Sequence, residues 1–264
     1  MRRRAITGEK IGRGGWRPPL LYVVPRDTYW SATRAPRYSL LFALPLLLAY
    51  ETLAFALTHD AYAGVRNGAD VLLKSAFVWL GGRNGLLWFG GVLLGAGAIL
   101  VARDFRRAGG VVPRYFLGMA GESVAYALAF GSVTSLLASA LLRAAPLAAG
   151  MPGAFDLPTQ LMISLGAGIY EELLFRVILV SALAALGKHV LKLGPLPSGV
   201  LATVVGALVF SAFHYIGSFG DPLEIGSFTF RTIAGVIFSA LYLTRGFGIT
   251  AWTHALYDVF LTIG

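Results

Sequence analysis

Cysteine is absent from the 264 residues. Disulfides, thiolate metal sites and a cysteine nucleophile are thereby excluded, and the redox compartment leaves no trace. Charge is scarce too: 13% of residues are Asp, Glu, Lys or Arg, about half the share of a soluble domain. Hydrophobic residues make up 56%, and mean hydropathy is +0.70. The apolar residues fall in long runs, so the composition predicts an all-α, polytopic helical membrane protein with one membrane domain and no separate soluble one. No long internal repeat is evident, and there is no HExxH, so spacing alone does not support zinc.

What charge there is gathers in places. The net charge is +9, and residues 1–38 hold nine Lys or Arg against Glu9 and Asp27. No nucleic-acid module or aromatic interleaving accompanies them. They read as a basic cytoplasmic tail beside anionic headgroups, ahead of a membrane domain over 39–264. The triplet Ala61-Tyr62-Ala63 resembles a signal cleavage site. The apolar run before it is too long for a signal core and contains Glu51, so it reads as an uncleaved span.

Apolar length places seven spans, at 39–58, 85–102, 116–142, 160–186, 199–216, 229–243 and 248–263. A shorter piece, 71–80, carries Lys74 and reads as interfacial or re-entrant. Arg103, Arg106, Arg107 and Arg114 crowd the second connection, Lys188 and Lys192 the fourth, and Arg245 the sixth. This alternation predicts a cytoplasmic N-terminus and an outside C-terminus; Arg66, Lys74 and Arg83 depart from it. The location it points to is a bacterial inner (cytoplasmic) membrane. Gly91 with Gly95, and Gly166-Ala167-Gly168, are expected at close helix contacts.

Ionisable residues inside spans cost roughly 2.5–3.5 kcal/mol each on insertion scales, so each needs a partner or a wet cavity. Glu171, Glu172 and Arg176 lie together in the fourth span. Glu172 and Arg176, at i and i+4, share a helix face and are expected to pair, leaving Glu171 to seek another neighbour. His214 lies late in the fifth span; His254 and Asp258 share one face of the seventh. A carboxylate beside two histidines suits a general base with a water nucleophile, a metal site or a proton relay, and also a polar network that merely locks helices. Glu51 and Glu122 read as helix-contact or cavity-lining residues, and Trp252 and Tyr257 as lipid-facing or groove-lining ones.

Three motifs in order carry a resemblance: Glu171-Glu172-x-x-x-Arg176, Phe210-x-x-x-His214 and His254-x-x-x-Asp258. Together they resemble the pattern of the CPBP family, the CAAX-protease and bacteriocin-processing intramembrane proteases, over a core at 159–264. The resemblance implies a polar cavity formed by the C-terminal four spans and an endopeptidase acting on a membrane-anchored, lipidated or leader- or sorting-tail-bearing protein. It implies that Glu171 and His214 activate water, that His254 and Asp258 stabilise the oxyanion, and that Glu172 and Arg176 shape the site or hold substrate. The family is described both as glutamate-type and as metal-assisted. In the second case Glu171, His214 and His254 would hold a divalent metal such as zinc. Asp258 stands where Asn is common; ionised, it would orient His254 through a ring N–H. The alternatives are a non-enzymatic membrane immunity or scaffold protein using the motifs as a polar helix lock, and a transporter.

Overall fold

A computed structural model of the chain describes residues 28–57, 64–142, 155–217 and 220–263. Most of the basic tail and the Ala61-Tyr62-Ala63 triplet lie outside the described residues. Those described contain helices and no strand: α1 (Tyr29–Ala32), α2 (Pro36–Ala56), α3 (Gly68–Gly81), α4 (Gly85–Ala108), α5 (Arg114–Leu142), α6 (Leu157–Gly166), α7 (Ser181–His189), α8 (Pro195–Phe213), α9 (Ile225–Arg245) and α10 (Phe247–Ile263). Five segments, counting α3 and α4 as one, are long and apolar enough to cross a membrane. Between α6 and α7 the chain is wound as π-helix over Ala167–Val180, so Leu157–His189 is one continuous rod.

Helix boundaries follow local chemistry. Pro36 and Pro195 begin α2 and α8, where a missing N–H costs nothing. Asp156 and Asn67 cap α6 and α3 through their side chains. The short apolar piece at 71–80 is the body of α3, which turns into α4 over Gly82–Asn84.

The basic end of the bundle is tied by ion pairs. Arg37 meets Asp104 at 3.0 Å, joining α2 to α4. Glu122 of α5 accepts from Arg245 of α9 at 2.7 and 2.9 Å, and also from Tyr29 of α1. Burial, and then the hydrogen bond to Glu122, push the Tyr29 phenol above its ordinary value. Glu122 is therefore a helix-contact residue. Trp252, one of the expected groove or lipid residues, instead donates to the Phe42 carbonyl at 2.7 Å and fastens α10 to α2.

Glycine marks the tightest crossing. A Cβ on Gly168 would lie 2.4 Å from the Ala251 carbonyl oxygen and 2.6 Å from the Ala255 Cβ, so the π segment and α10 touch backbone to backbone. Gly168→Ala is expected to cost about 1–3 kcal/mol, read as a lower midpoint of thermal unfolding in detergent; an unchanged midpoint would contradict the contact. Gly91 and Gly95 behave otherwise. A Cβ on either meets nothing within 4 Å among the described residues, so the expected helix contact is not made among them.

Candidate active site

The π segment sets the site. Its wider turn rotates successive side chains by less than the 100° of an α-helix. Glu171 and Glu172 both point inward, 7% and 0% exposed. From there they face two different groups of partners.

Glu171 reaches His214, which follows the last turn of α8 and caps it. The His214 Nδ1 lies 2.8 Å from the Phe210 carbonyl. A carbonyl only accepts, so Nδ1 carries the hydrogen, and the Nε2 of the neutral ring presents a lone pair. That Nε2 is 3.8 Å from Glu171 Oε2. Two acceptors thus face each other across a gap too long for a direct hydrogen bond and matched to one bridging water that donates to both. The other carboxylate oxygen, Oε1, accepts from Asn67 Nδ2 at 2.8 Å.

Glu172 is fully buried and serves two cations or donors at once. Its Oε1 accepts from His254 Nδ1 at 2.7 Å, and its Oε2 lies 3.2 Å from Arg176 Nε. The i,i+4 pair read from the sequence is present. The Arg176 guanidinium lies 4.3 Å from the Phe210 ring centre and 5.3 Å from that of Phe238, so aromatic faces supply the rest of its environment. Phe238 also stacks on His254, centroids 4.3 Å apart. Phe210 thus does two jobs: its carbonyl fixes the His214 tautomer and its ring walls Arg176.

His254 and Asp258 do come together, with Nε2 3.7 Å from Oδ2. The ring N–H that sets the orientation of His254 is held by Glu172, however, and not by Asp258. An i,i+4 neighbour on the same helix was the sequence's candidate; the stronger contact comes across the helix crossing. Asp258 is left beside the free edge of the ring.

A divalent metal would need Glu171, His214 and His254 to converge. Among the described residues no three His, Asp or Glu side chains are placed to hold a metal ion. The Nδ1 of His254 is committed to Glu172, and Glu171 and His214 stand 3.8 Å apart. His254 keeps Nε2 free, as a metal-bound histidine held by a carboxylate would, but the three side chains are not gathered round one point among the described residues.

Several residues at the site carried no clear sequence signal. Asn67 comes from the N-terminus of α3, so the polar cavity is not closed by the C-terminal four spans alone. Around it Tyr50 donates to Asp70 at 2.7 Å, Arg66 pairs with Glu51 at 2.6 Å and with Asp70, and Lys74 pairs with both carboxylates at 2.8 and 2.7 Å. Tyr170 donates to Glu51. This explains why Arg66 and Lys74 departed from the charge bias of the loops: both are neutralised inside the fold. Arg231 of α9 pairs with Asp221 and lies 5.2 Å from the Tyr215 ring centre, while the Asp221 N–H donates to the His214 carbonyl at 3.0 Å. These contacts clamp the chain just after His214. Arg231 is a lone charge within the sixth span, and that isolation was the available signal.

Fold and site together are those of a helical membrane protein with a buried polar centre of carboxylates and histidines. Residues 153–260 match the family model described as type II CAAX prenyl endopeptidase Rce1-like. That region contains all three motifs, and in it the chain is similar to the CAAX prenyl endopeptidases. No curated protein and no solved structure matches the chain.

Proposed function

We propose that the chain is an intramembrane endopeptidase that uses Glu171 as general base. The observation that carries this is the facing pair of acceptors, Glu171 Oε2 and His214 Nε2, 3.8 Å apart. A water donating to both is held with its oxygen lone pairs turned toward a substrate carbonyl. Its oxygen attacks the carbonyl carbon while one proton passes to Glu171. The tetrahedral intermediate collapses as the C–N bond breaks, and Glu171 returns the proton to the departing amine. The products are a carboxyl terminus and an amine, the sum of peptide and water.

His254 is held by Glu172, and its free edge, next to Asp258, is the natural oxyanion contact. With both ring nitrogens protonated it donates through Nε2; a protonated Asp258 adds a second donor. Glu172 and Arg176 act through His254 and through the aromatic wall. Asp258→Asn, which keeps shape and a donor, is expected to retain at least about a tenth of the rate, while Asp258→Ala loses about 100-fold. Turnover rates of the two purified variants check this. Equal losses in both would mean that a carboxylate is required beside His254.

The substrate class is a membrane-anchored protein bearing a lipidated tail, a leader or a sorting tail. The family description favours the first, a prenylated CAAX terminus. The lysine and arginine pattern supports a bacterial inner membrane with the N-terminus cytoplasmic. Contacts of Arg34 with Leu243, and of Arg37 with Asp104, put the N-terminal segment at the same end as the second and sixth connections, as that topology requires. The experiment is a comparison of protein termini in membranes of cells expressing wild type or Glu171→Gln at equal levels. Precursors that persist only with the variant identify the substrate. Identical termini would favour the polar-lock reading.

A further inference from the structure

Asn67 lies far from every motif and outside the family match, yet it makes the direct hydrogen bond to Glu171. Its two amide ends are assigned by their partners. The Oδ1 accepts from the Ala69 N–H at 2.9 Å, capping α3, so Nδ2 is the end that must face Glu171 Oε1 at 2.8 Å. An amide flip would set its NH2 against a backbone N–H and its oxygen against a carboxylate, losing both bonds. The side chain is 3% exposed.

The residue is also held from behind. Its backbone N–H lies 3.3 Å from the Tyr50 hydroxyl, which donates onward to Asp70, and Asp70 is paired with Arg66 and Lys74. This cluster grips the first turn of α3, and with it the angle at which Nδ2 meets the carboxylate. A glutamate side chain otherwise has three rotatable bonds, the last of them a broad and nearly two-fold torsion. With Oε1 occupied, Oε2 is the oxygen presented to His214.

We propose that Asn67 is a positioning residue for the hydrolysis: it engages Glu171 Oε1, so that Oε2 alone shares the water with His214 and takes its proton. This rests on the reading of Glu171 as general base. It means that the N-terminal half of the chain completes a site whose motifs all lie in the C-terminal half.

Asn67→Ser tests it, because Ser still caps α3 but is too short to reach Glu171. Asn67→Asp is the second variant: it keeps shape and cap and removes the donor. Wild type, Glu171→Gln and both Asn67 variants are purified in nanodiscs and assayed on a farnesylated CAAX peptide, with unfolding midpoints measured alongside. The expected result is a fall in kcat of roughly 10- to 100-fold, with KM changed less than about twofold; the midpoint stays close to wild type for Asn67→Ser and falls for Asn67→Asp, which sets a second buried carboxyl against Glu171, so its kcat is read on the folded fraction. A residue that only holds the fold would lower the midpoint and leave the kcat of the folded fraction unchanged.

Full kcat in an Asn67 variant, beside an inactive Glu171→Gln, overturns this inference alone. An active Glu171→Gln overturns the general-base reading and this inference with it. If neither Asn67 variant accumulates folded, Asn67 is a fold residue and the proposal is wrong.

Discussion

Glu171→Gln is expected to lower turnover by about 10³-fold, near the middle of the range for losing a general base, while the protein folds as before. The second half of that statement comes from the site. Gln in place of Glu171 still accepts from Asn67 through its oxygen. Its NH2 then faces the lone pair on His214 Nε2, so two facing acceptors become a donor and an acceptor. The fold loses nothing there, and the unfolding midpoint should hold or rise slightly. What is lost is the lone pair that takes the proton of water. A thousandfold corresponds to about 4 kcal/mol of barrier. Turnover and midpoint measured on one preparation separate this from a folding defect, in which both would fall together.

Arg176→Ala should behave in the opposite way, with stability lost first. The guanidinium is 1% exposed, lies 3.2 Å from a fully buried Glu172 and is flanked by Phe210 and Phe238. Removing it leaves the Glu172 charge with His254 as its remaining partner and opens a cavity between two rings. Breaking one side of a buried ion pair costs about 3–5 kcal/mol, a large part of the stability of a marginal fold. Arg176→Lys should recover only part, because an ammonium cannot lie as a flat plate against two rings. The check is the unfolding midpoint in detergent, with activity of any folded fraction as the second reading. A near-native midpoint for Arg176→Ala would show that Glu172 is not carrying an uncompensated charge.

Much of this site was legible because charge is so rare in the chain. In apolar spans, Glu171, Glu172, Arg176, His214, His254 and Asp258 stand out, and the i,i+4 spacing alone paired Glu172 with Arg176. The helical membrane architecture was legible from the length of the apolar runs. Other features left no local signature. The π winding at 167–180 has no residue code of its own. It spans the backbone contact at Gly168 and the two inward carboxylates. Phe238 looks like any lipid-facing aromatic, and Phe210 stands out only through its motif with His214, until the guanidinium between them is seen. Asn67 is 104 positions from Glu171, and no periodicity links a cap on one helix to a carboxylate on another. The misassigned partner of His254 has the same origin: sequence spacing reports neighbours on one helix, and Glu172 arrives from a second. Gly91 and Gly95 show the converse, a contact motif with nothing opposite it among the described residues.

Hydrolysis in heavy-oxygen water is the measurement closest to the central claim. Purified wild type and Glu171→Gln, matched for unfolding midpoint, would each be incubated with a farnesylated CAAX peptide in H₂¹⁸O and the products weighed. Wild type should release the C-terminal fragment and leave one ¹⁸O in the new carboxyl terminus of the farnesylated fragment; the variant should leave the peptide whole. Uncut peptide with wild type would contradict a prenylated substrate, and equal cleavage by both proteins would contradict the assignment of Glu171 as the base that activates water.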